Sequence, residues 1–280
     1  MSGLFLNLSK ASEIKTSFIH DSFKLASSRG KNSSSVLQAA SLSKLELVKS
    51  RSRLEKLSDK IKGASKLVIG YCGLNVTSEQ EIAPLISDDL LLFFDGLILN
   101  RPVNTEEFRV NTATNIDILL ELIANSVQQG KTLTVAVEGA LQKIKGNVNG
   151  LLLAPKQGKL LAFSNHGSLF VSDTDEQLLI ASERAWLQQY ASEAQQLIGF
   201  KEFDISEAPI DYQLTKNVLF NSVDEFPALA SDLSVLQYKI HDLKRCSHCI
   251  LPETMPYIRF DGQGVCNYCH SYKKRNQPKD

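Results

Sequence analysis

Two Cys-x-x-Cys pairs near the C-terminus, Cys246 with Cys249 and Cys266 with Cys269, constrain this chain more than any other feature. Each pair sets two sulfurs on one side of a tight knuckle. The sixteen residues between the pairs leave room for a hairpin that returns the second knuckle to the first. Pro252 and the run Phe260-Asp261-Gly262-Gln263-Gly264 supply its turn. Four thiolates in this arrangement form the tetrahedral set that zinc takes, and because they fill the coordination sphere the site reads as structural rather than catalytic. So small a module has almost no apolar core, so metal binding would supply most of its folding free energy. The alternatives are two disulfides or four free thiols. The fifth cysteine, Cys72, stands alone in an apolar run, and the whole distribution suits a reducing cytoplasm better than a secreted disulfide framework. His248 and His270 flank the cysteines and read as bystanders beside a complete sulfur set.

The 280 residues allow one large core, or one core with a small satellite, and the ribbon favours the second arrangement. With 31 Lys plus Arg against 31 Asp plus Glu, no overall field draws the chain to a polyanion or an anionic membrane. Lys273-Lys274-Arg275 is a local basic run with no interleaved aromatic residues, which argues against nucleic acid as a partner. Met1–Leu8 is apolar but short and lacks a basic lead, so it is not expected to be a signal peptide, and no stretch approaches a membrane span.

Hydrophobic patterning predicts strands over Gly3–Leu6, Lys66–Cys72, Leu90–Phe94, Gly150–Ala154, Leu160–Phe163 and Leu178–Ala181. The Ser-rich stretch 27–35 reads as a loop. A helix beginning after Thr114-Asn115 places Ile116, Leu119, Leu120, Ile123 and Val127 on one face and stops at Gly130, and a second runs from about Thr134 to Lys145. Strands interrupted by paired helices indicate an α+β layered fold. The expected organisation is a domain over 1–205, a linker or docking segment over 206–243, the ribbon over 244–272 and a polar tail over 273–280.

The wording around the cysteines, Cys246-Ser-His-Cys-Ile-Leu-Pro-Glu-Thr-Met-Pro-Tyr-Ile-Arg-Phe-Asp-Gly-Gln-Gly-Val-Cys-Asn-Tyr-Cys269, resembles the ribbon of the N-acetyl sugar amidotransferases of surface-polysaccharide biosynthesis. In that family the ribbon precedes a PP-loop ATP-pyrophosphatase domain. No Ser-Gly-Gly-x-Asp-Ser phosphate loop occurs in these 280 residues. The resemblance therefore implies a separate PP-loop subunit, or a chain that is a fragment of a longer one. At the other end, Met1-Ser2-Gly3-Leu4-Phe5 resembles the Met-Cys-Gly-Ile-Phe opening of class II glutamine amidotransferases, and the resemblance continues to about residue 205, closest to the glutaminase domain of glucosamine-6-phosphate synthase. Arg29-Gly30, Ile69-Gly70-Tyr71-Cys72-Gly73, Phe94-Asp95-Gly96, Ala113-Thr114-Asn115 and Ile180-Ala181-Ser182-Glu183 fall in the family's order. That resemblance implies a four-layer αββα N-terminal-nucleophile sandwich.

It also implies a chemistry whose parts are altered here. The family's nucleophile is a cysteine exposed by removal of Met1 and activated by its own α-amino group; Ser2 stands in its place. Gly73 stands where the family has an arginine that grips the substrate carboxylate. Asp95, with Gly96, stands at the oxyanion-hole position and offers an ionised acceptor in place of an amide donor. Asn115 replaces the acid that pairs with the substrate ammonium. The expected function is a glutaminase-inactive, amidotransferase-like subunit, holding at most some small-molecule amide ligand. An amidohydrolase using Ser2 and a nucleic-acid-binding ribbon are the competing readings. Cys72 reads as a buried small hydrophobe.

Overall fold

A computed structural model of the chain describes residues 2–30, 33–50, 65–73, 82–100, 115–191, 193–206, 211–219 and 243–272. The chain divides into two compact units, Met1–Val223 and Asp224–Asp280.

The first unit contains two sheets. In chain order its elements are β1 (Gly3–Ser9), α1 (Thr16–Ala26), β2 (Ser33–Ser41), β3 (Lys44–Ser50), β4 (Leu67–Gly73), β5 (Leu85–Ser87), β6 (Leu90–Ile98), α2 (Asn115–Gln128), α3 (Leu133–Leu141) and β7 (Gly146–Ala154). After a 3-10 turn at Pro155–Gln157 come β8 (Lys159–Ser164), β9 (Phe170–Asp173), β10 (Gln177–Ala181), α4 (Arg184–Leu187), β11 (Gln195–Gln196), β12 (Gly199–Asp204) and β13 (Gln213–Leu219). One sheet has the order β11-β9-β10-β1-β4-β2-β3-β13, and the other β12-β8-β7-β6-β5.

Alternation along the strands sorts their side chains into three apolar layers. Leu4 and Leu6 of β1, Ile69 of β4, Leu91 and Phe93 of β6, and Leu151 and Leu153 of β7 meet between the sheets. On the outer face of the larger sheet Phe5, Val68 and Leu179 pack on Ile19 and Phe23 of α1 and Trp186 of α4. Phe5 and Phe23 meet edge to face, centroids 4.8 Å apart. On the outer face of the smaller sheet Leu92, Phe94, Leu152 and Phe163 pack on Leu119 and Ile123 of α2 and Val137 of α3. The layers therefore run helix, sheet, sheet, helix. Strand β4 is buried along its whole length, which is why it reads as an unbroken apolar run.

The two predicted helices are present. The second covers Leu133–Leu141: Thr132 caps its start, with Oγ1 accepting from the Val135 N–H at 3.4 Å, and it ends at Gln142, short of the expected Lys145. The Ser-rich segment expected as a loop is instead divided. Ser27–Arg29 forms a turn after α1, while Ser33–Ser35 open β2 and are buried between β3 and β4. Within the segment expected as a linker, β13 pairs in parallel with β3. Thr114 and the tail 273–280 lie outside the described residues. No helix among the described residues is long and apolar enough to cross a membrane.

Candidate functional site

The same alternation that builds the core also builds a polar end to it. Ser2 extends the inward-facing series Leu4, Leu6, Leu8 of β1; Tyr71 and Gly73 extend that of β4; Asp95 extends Leu91 and Phe93 of β6. Cross-strand pairing then sets Asn149 of β7 opposite Asp95, and Ser164 of β8 opposite Asn149. Polar side chains thus close one end of the space between the sheets, all of them nearly inaccessible: Ser2 is 9% exposed, Asp95 3%, and Asn149 and Ser164 1% each.

Ser2 and Asp95 are joined directly. The Ser2 nitrogen donates to Asp95 Oδ1 at 2.5 Å. The other carboxylate oxygen faces Arg29, whose Nη2 lies 3.4 Å away, while Arg29 Nη1 donates to Glu183 Oε1 at 2.7 Å and to the Ser182 carbonyl at 3.3 Å. Arg29 thereby ties the turn after α1 to the ends of β6 and β10. Asp95 is held by these two partners, and the position expected to face an oxyanion carries a carboxylate directed at the Ser2 nitrogen. Gly96 follows at φ +153°, and a Cβ there would lie 2.1 Å from the Asn147 carbonyl oxygen of β7, so only glycine fits.

Tyr71 occupies the remaining space beside Ser2. Its hydroxyl is 3.1 Å from Ser2 Oγ. A Cβ on Gly73 would fall 2.4 Å from the same hydroxyl and 2.7 Å from Ser33 Oγ, so the point from which a cationic clamp would spring is already filled. Burial pushes the Tyr71 phenol up to about 12; the Asp95 charge adds to this and the Ser2 contact opposes it. Cys72, on the opposite face of β4, is 1% exposed in the α1 core, and burial drives its thiol far up, which makes it an inert packing residue. Asn115 opens α2, and its side chain lies outside the described residues.

Beside Asp95 a small polar network stiffens the β7–β8 end. Ser164 Oγ donates to Asn149 Oδ1 at 2.6 Å and accepts from the Gly167 N–H at 2.8 Å. His166 Nε2 lies 3.4 Å from Asn149 Nδ2. The resemblance had put Arg29, Tyr71 and Glu183 within matching motifs without giving any of them a task. Asn149 and Ser164 went unnoticed, although both carry the inward alternation of β7 and β8 past the end of an apolar run with a polar residue.

In the second unit the four cysteines converge. All four sulfurs lie within 4.8 Å of one another. Cys246 Sγ is 3.8 Å from Cys269 Sγ, and Cys249 Sγ is 3.5 Å from Cys266 Sγ. A disulfide needs about 2.05 Å, whereas sulfurs bound at ~2.3 Å to one tetrahedral ion stand roughly 3.8 Å apart. The cluster thus has the spacing of a metal site. Isolated bridges Arg245–Pro252 and Phe260–Cys266 hold the two knuckles. Burial works against the Cys246 thiolate, but backbone N–H groups of Cys249, His248 and Cys266 outweigh it and pull the thiol down to about 6. Cys269 is driven the other way, first by Cys249, because neighbouring sulfurs cannot all ionise without a cation. His270 is turned from the cluster, with Nε2 2.7 Å from Asp261 Oδ2.

No protein-family model matches the chain, and no curated protein sequence does. Solved structures do. The glutamine phosphoribosylpyrophosphate amidotransferase from B. subtilis, complexed with ADP and GMP, superposes with a TM-score of 0.52 at 18% identity, covering 74% of this chain and 50% of that one. The structure described as the allosteric regulatory enzyme of purine biosynthesis gives 0.54 at 18% identity, covering 76% and 50%. The chain spans half the length of each. This likeness, with two sheets between helical layers, shows a fold related to that of the class II, N-terminal-nucleophile glutamine amidotransferases.

Proposed function

We propose that this chain is a glutaminase-silent, amidotransferase-like subunit whose zinc ribbon docks a PP-loop ATP-pyrophosphatase acting on an N-acetyl sugar of surface-polysaccharide biosynthesis. The observation that carries the silent half is the Asp95 carboxylate on the Ser2 nitrogen. Once Met1 is removed, that nitrogen is the α-amino group that has to accept the nucleophile's proton. A buried carboxylate beside it favours the charged ammonium over the free amine, so that nitrogen does not serve Ser2 as a base. Tyr71 does not supply one, because its phenol holds its proton up to about 12. An oxyanion forming at Ser2 would also meet the Asp95 charge where the reaction requires donors, and no cation stands at Gly73.

The ribbon half rests on the sulfur cluster and on its resemblance to ribbons that precede PP-loop domains. Zinc is the metal that four thiolates at this spacing suit best, and free thiols of this kind belong in a reducing cytoplasm.

The reading is tested with the purified, zinc-loaded chain. It should release no ammonia from glutamine above buffer, and a PP-loop ATP-pyrophosphatase lacking its own ribbon should be retained by the intact chain but not by the Cys249→Ser/Cys269→Ser variant. Glutamine-dependent ammonia release abolished by Ser2→Ala would refute the silent half. Equal retention by the intact chain and the doubly substituted variant would refute the docking half.

A further inference from the structure

The four sulfurs of the second unit lie close together but are not equally sheltered. Cys246 is 3% exposed and Cys266 0%, Cys269 is half-buried, and Cys249 is exposed. Three backbone N–H groups add to the sheltering of Cys246. Those of His248, Cys249 and Cys266 converge on its Sγ at 3.4, 3.5 and 3.2 Å and occupy its lone pairs. Cys249 is thus the sulfur that solvent reaches most freely, and its Sγ lies 3.5 Å from that of the inaccessible Cys266.

With zinc bound as proposed above, on which this assignment rests, the ion holds every ligating thiol deprotonated. Acidity then does not separate the four, and access does. Oxidants attack thiolates that solvent reaches, and a neighbouring thiol captures the sulfenic acid that forms. We infer that Cys249 is an oxidation site for hydrogen peroxide, with Cys266 as the thiolate that closes it to a disulfide. Cys249 Sγ attacks one peroxide oxygen, the O–O bond breaks, and the departing hydroxide takes a solvent proton to become water. Cys266 Sγ then attacks the sulfenic sulfur of Cys249. The S–O bond breaks, and a second hydroxide leaves as water with a second solvent proton. The two sulfurs have lost two electrons and the peroxide has gained them. The sulfurs close from 3.5 Å to the ~2.05 Å of a disulfide. Cys246 and Cys269 alone remain, too few ligands to retain an ion that takes four. Loss of the metal removes most of the module's folding free energy. The fifth cysteine, Cys72, is sealed in the α1 core and takes no part.

The full chain, loaded with zinc and checked by elemental analysis, is treated with one equivalent of hydrogen peroxide beside a chromogenic zinc chelator. It is then alkylated and mapped by mass spectrometry without reduction. The first disulfide should join Cys249 to Cys266, zinc should appear in step with it, and Cys72 should stay a free thiol, the buried control within the same molecule. Cys249→His keeps a ligand that zinc accepts beside three cysteines and removes the exposed sulfur. Its zinc release under peroxide should be slower by about tenfold or more. A first disulfide between Cys246 and Cys249, oxidation of Cys246 or Cys269 ahead of Cys249, or oxidation of Cys72 as fast as the cluster would each overturn the assignment. So would release from zinc-bearing Cys249→His as fast as from the parent; if that variant holds no zinc, the peptide map of the parent decides. A parent that binds no zinc refutes the metal reading and this one with it, whereas a zinc-bearing parent oxidised elsewhere refutes this one alone.

Discussion

The Ser2 nitrogen and the Asp95 carboxylate meet between the two sheets at 2.5 Å, one from the start of β1 and the other from β6. Their hydrogen bond ties the Ser2 nitrogen to the ion pairs that run from Asp95 through Arg29 to Glu183, and once Met1 is removed that nitrogen would be the amine of the same chain of contacts. It follows that restoring sulfur alone does not restore chemistry. Ser2→Cys should leave glutamine-dependent ammonia release at background, because the amine stays charged and nothing at Gly73 grips the substrate. An assay of the Ser2→Cys protein checks this, with N-terminal sequencing to confirm that Met1 has been removed. Sustained turnover would show that the Asp95 contact does not hold the amine.

Asp95 and Arg29 should be coupled in stability. Their side chains are 4% and 14% exposed, so water screens the pair little. Arg29→Met leaves the carboxylate buried with the Ser2 nitrogen as its remaining partner among the described residues, and should cost about 3–5 kcal/mol. Asp95→Asn keeps the shape and leaves Arg29 its contact with Glu183, for a cost of about 1–3 kcal/mol. Urea midpoints of the singles and the double should fall short of additivity by about 0.5–3 kcal/mol; strict additivity would mean the pair is incidental.

Tyr71 gives the chain an alkaline limit. Burial raises its phenol to about 12, above the roughly 10 of an unfolded tyrosine. The unfolded chain therefore loses this proton first, and stability present below about pH 10 is lost as pH rises toward 12. Cys72 acts in the same direction. Denaturation midpoints between pH 9 and roughly 12 should fall less steeply in Tyr71→Phe than in the parent, and an identical slope would sink the prediction.

How much of this was legible before folding depends on the residue. The inner strands and both central helices follow from continuous apolar runs and 3.6-residue periodicity, since burial on both faces leaves no room for polar interruptions. Ser33–Ser35 misled because serine usually marks a turn; here they are buried between β3 and β4, where neighbouring strands satisfy the backbone. Segments such as Thr16–Ala26 and Gln213–Leu219 are too mixed in polarity to announce a helix and a strand. At the site, motif order singled out Ser2, Gly73 and Asp95 along the chain, but which atom faces which is set by pairings far apart in sequence. The Arg29–Asp95 contact joins residues 66 positions apart, a distance no local pattern spans.

The four-cysteine module should depend on metal as the first unit does not. Four sulfurs within 4.8 Å cannot all be thiolates without a cation, and structural zinc contributes ~10–16 kcal/mol of apparent binding energy to modules of this size. One zinc per chain is expected by elemental analysis. A chelator, or Cys266→Ser, should broaden or shift the amide resonances of 244–272 while those of Leu4, Ile69 and Phe93 stay in place. Metal-free protein with an unchanged spectrum over 244–272 would show that the cluster is held by something other than an ion.

Gly30 sets the direction of Arg29, and this can be separated from ordinary glycine effects. A Cβ on Gly30 would lie 2.4 Å from the Cys72 carbonyl oxygen and 2.5 Å from the Gly73 carbonyl carbon, both backbone atoms that cannot swing aside. The turn after α1 can lie against the end of β4 because that side chain is missing, and from there the guanidinium reaches Asp95. Gly139 is the control: it sits inside α3 with no atom within 4 Å of an added Cβ. Gly139→Ala should stabilise by about 0.5–1 kcal/mol through helix propensity alone, whereas Gly30→Ala should destabilise by about 1–3 kcal/mol through overpacking. If the cost at Gly30 arises by displacing Arg29, then in an Arg29→Met background Gly30→Ala should cost clearly less. An undiminished penalty there would assign it to the clash with β4 alone and detach Gly30 from the Ser2 site.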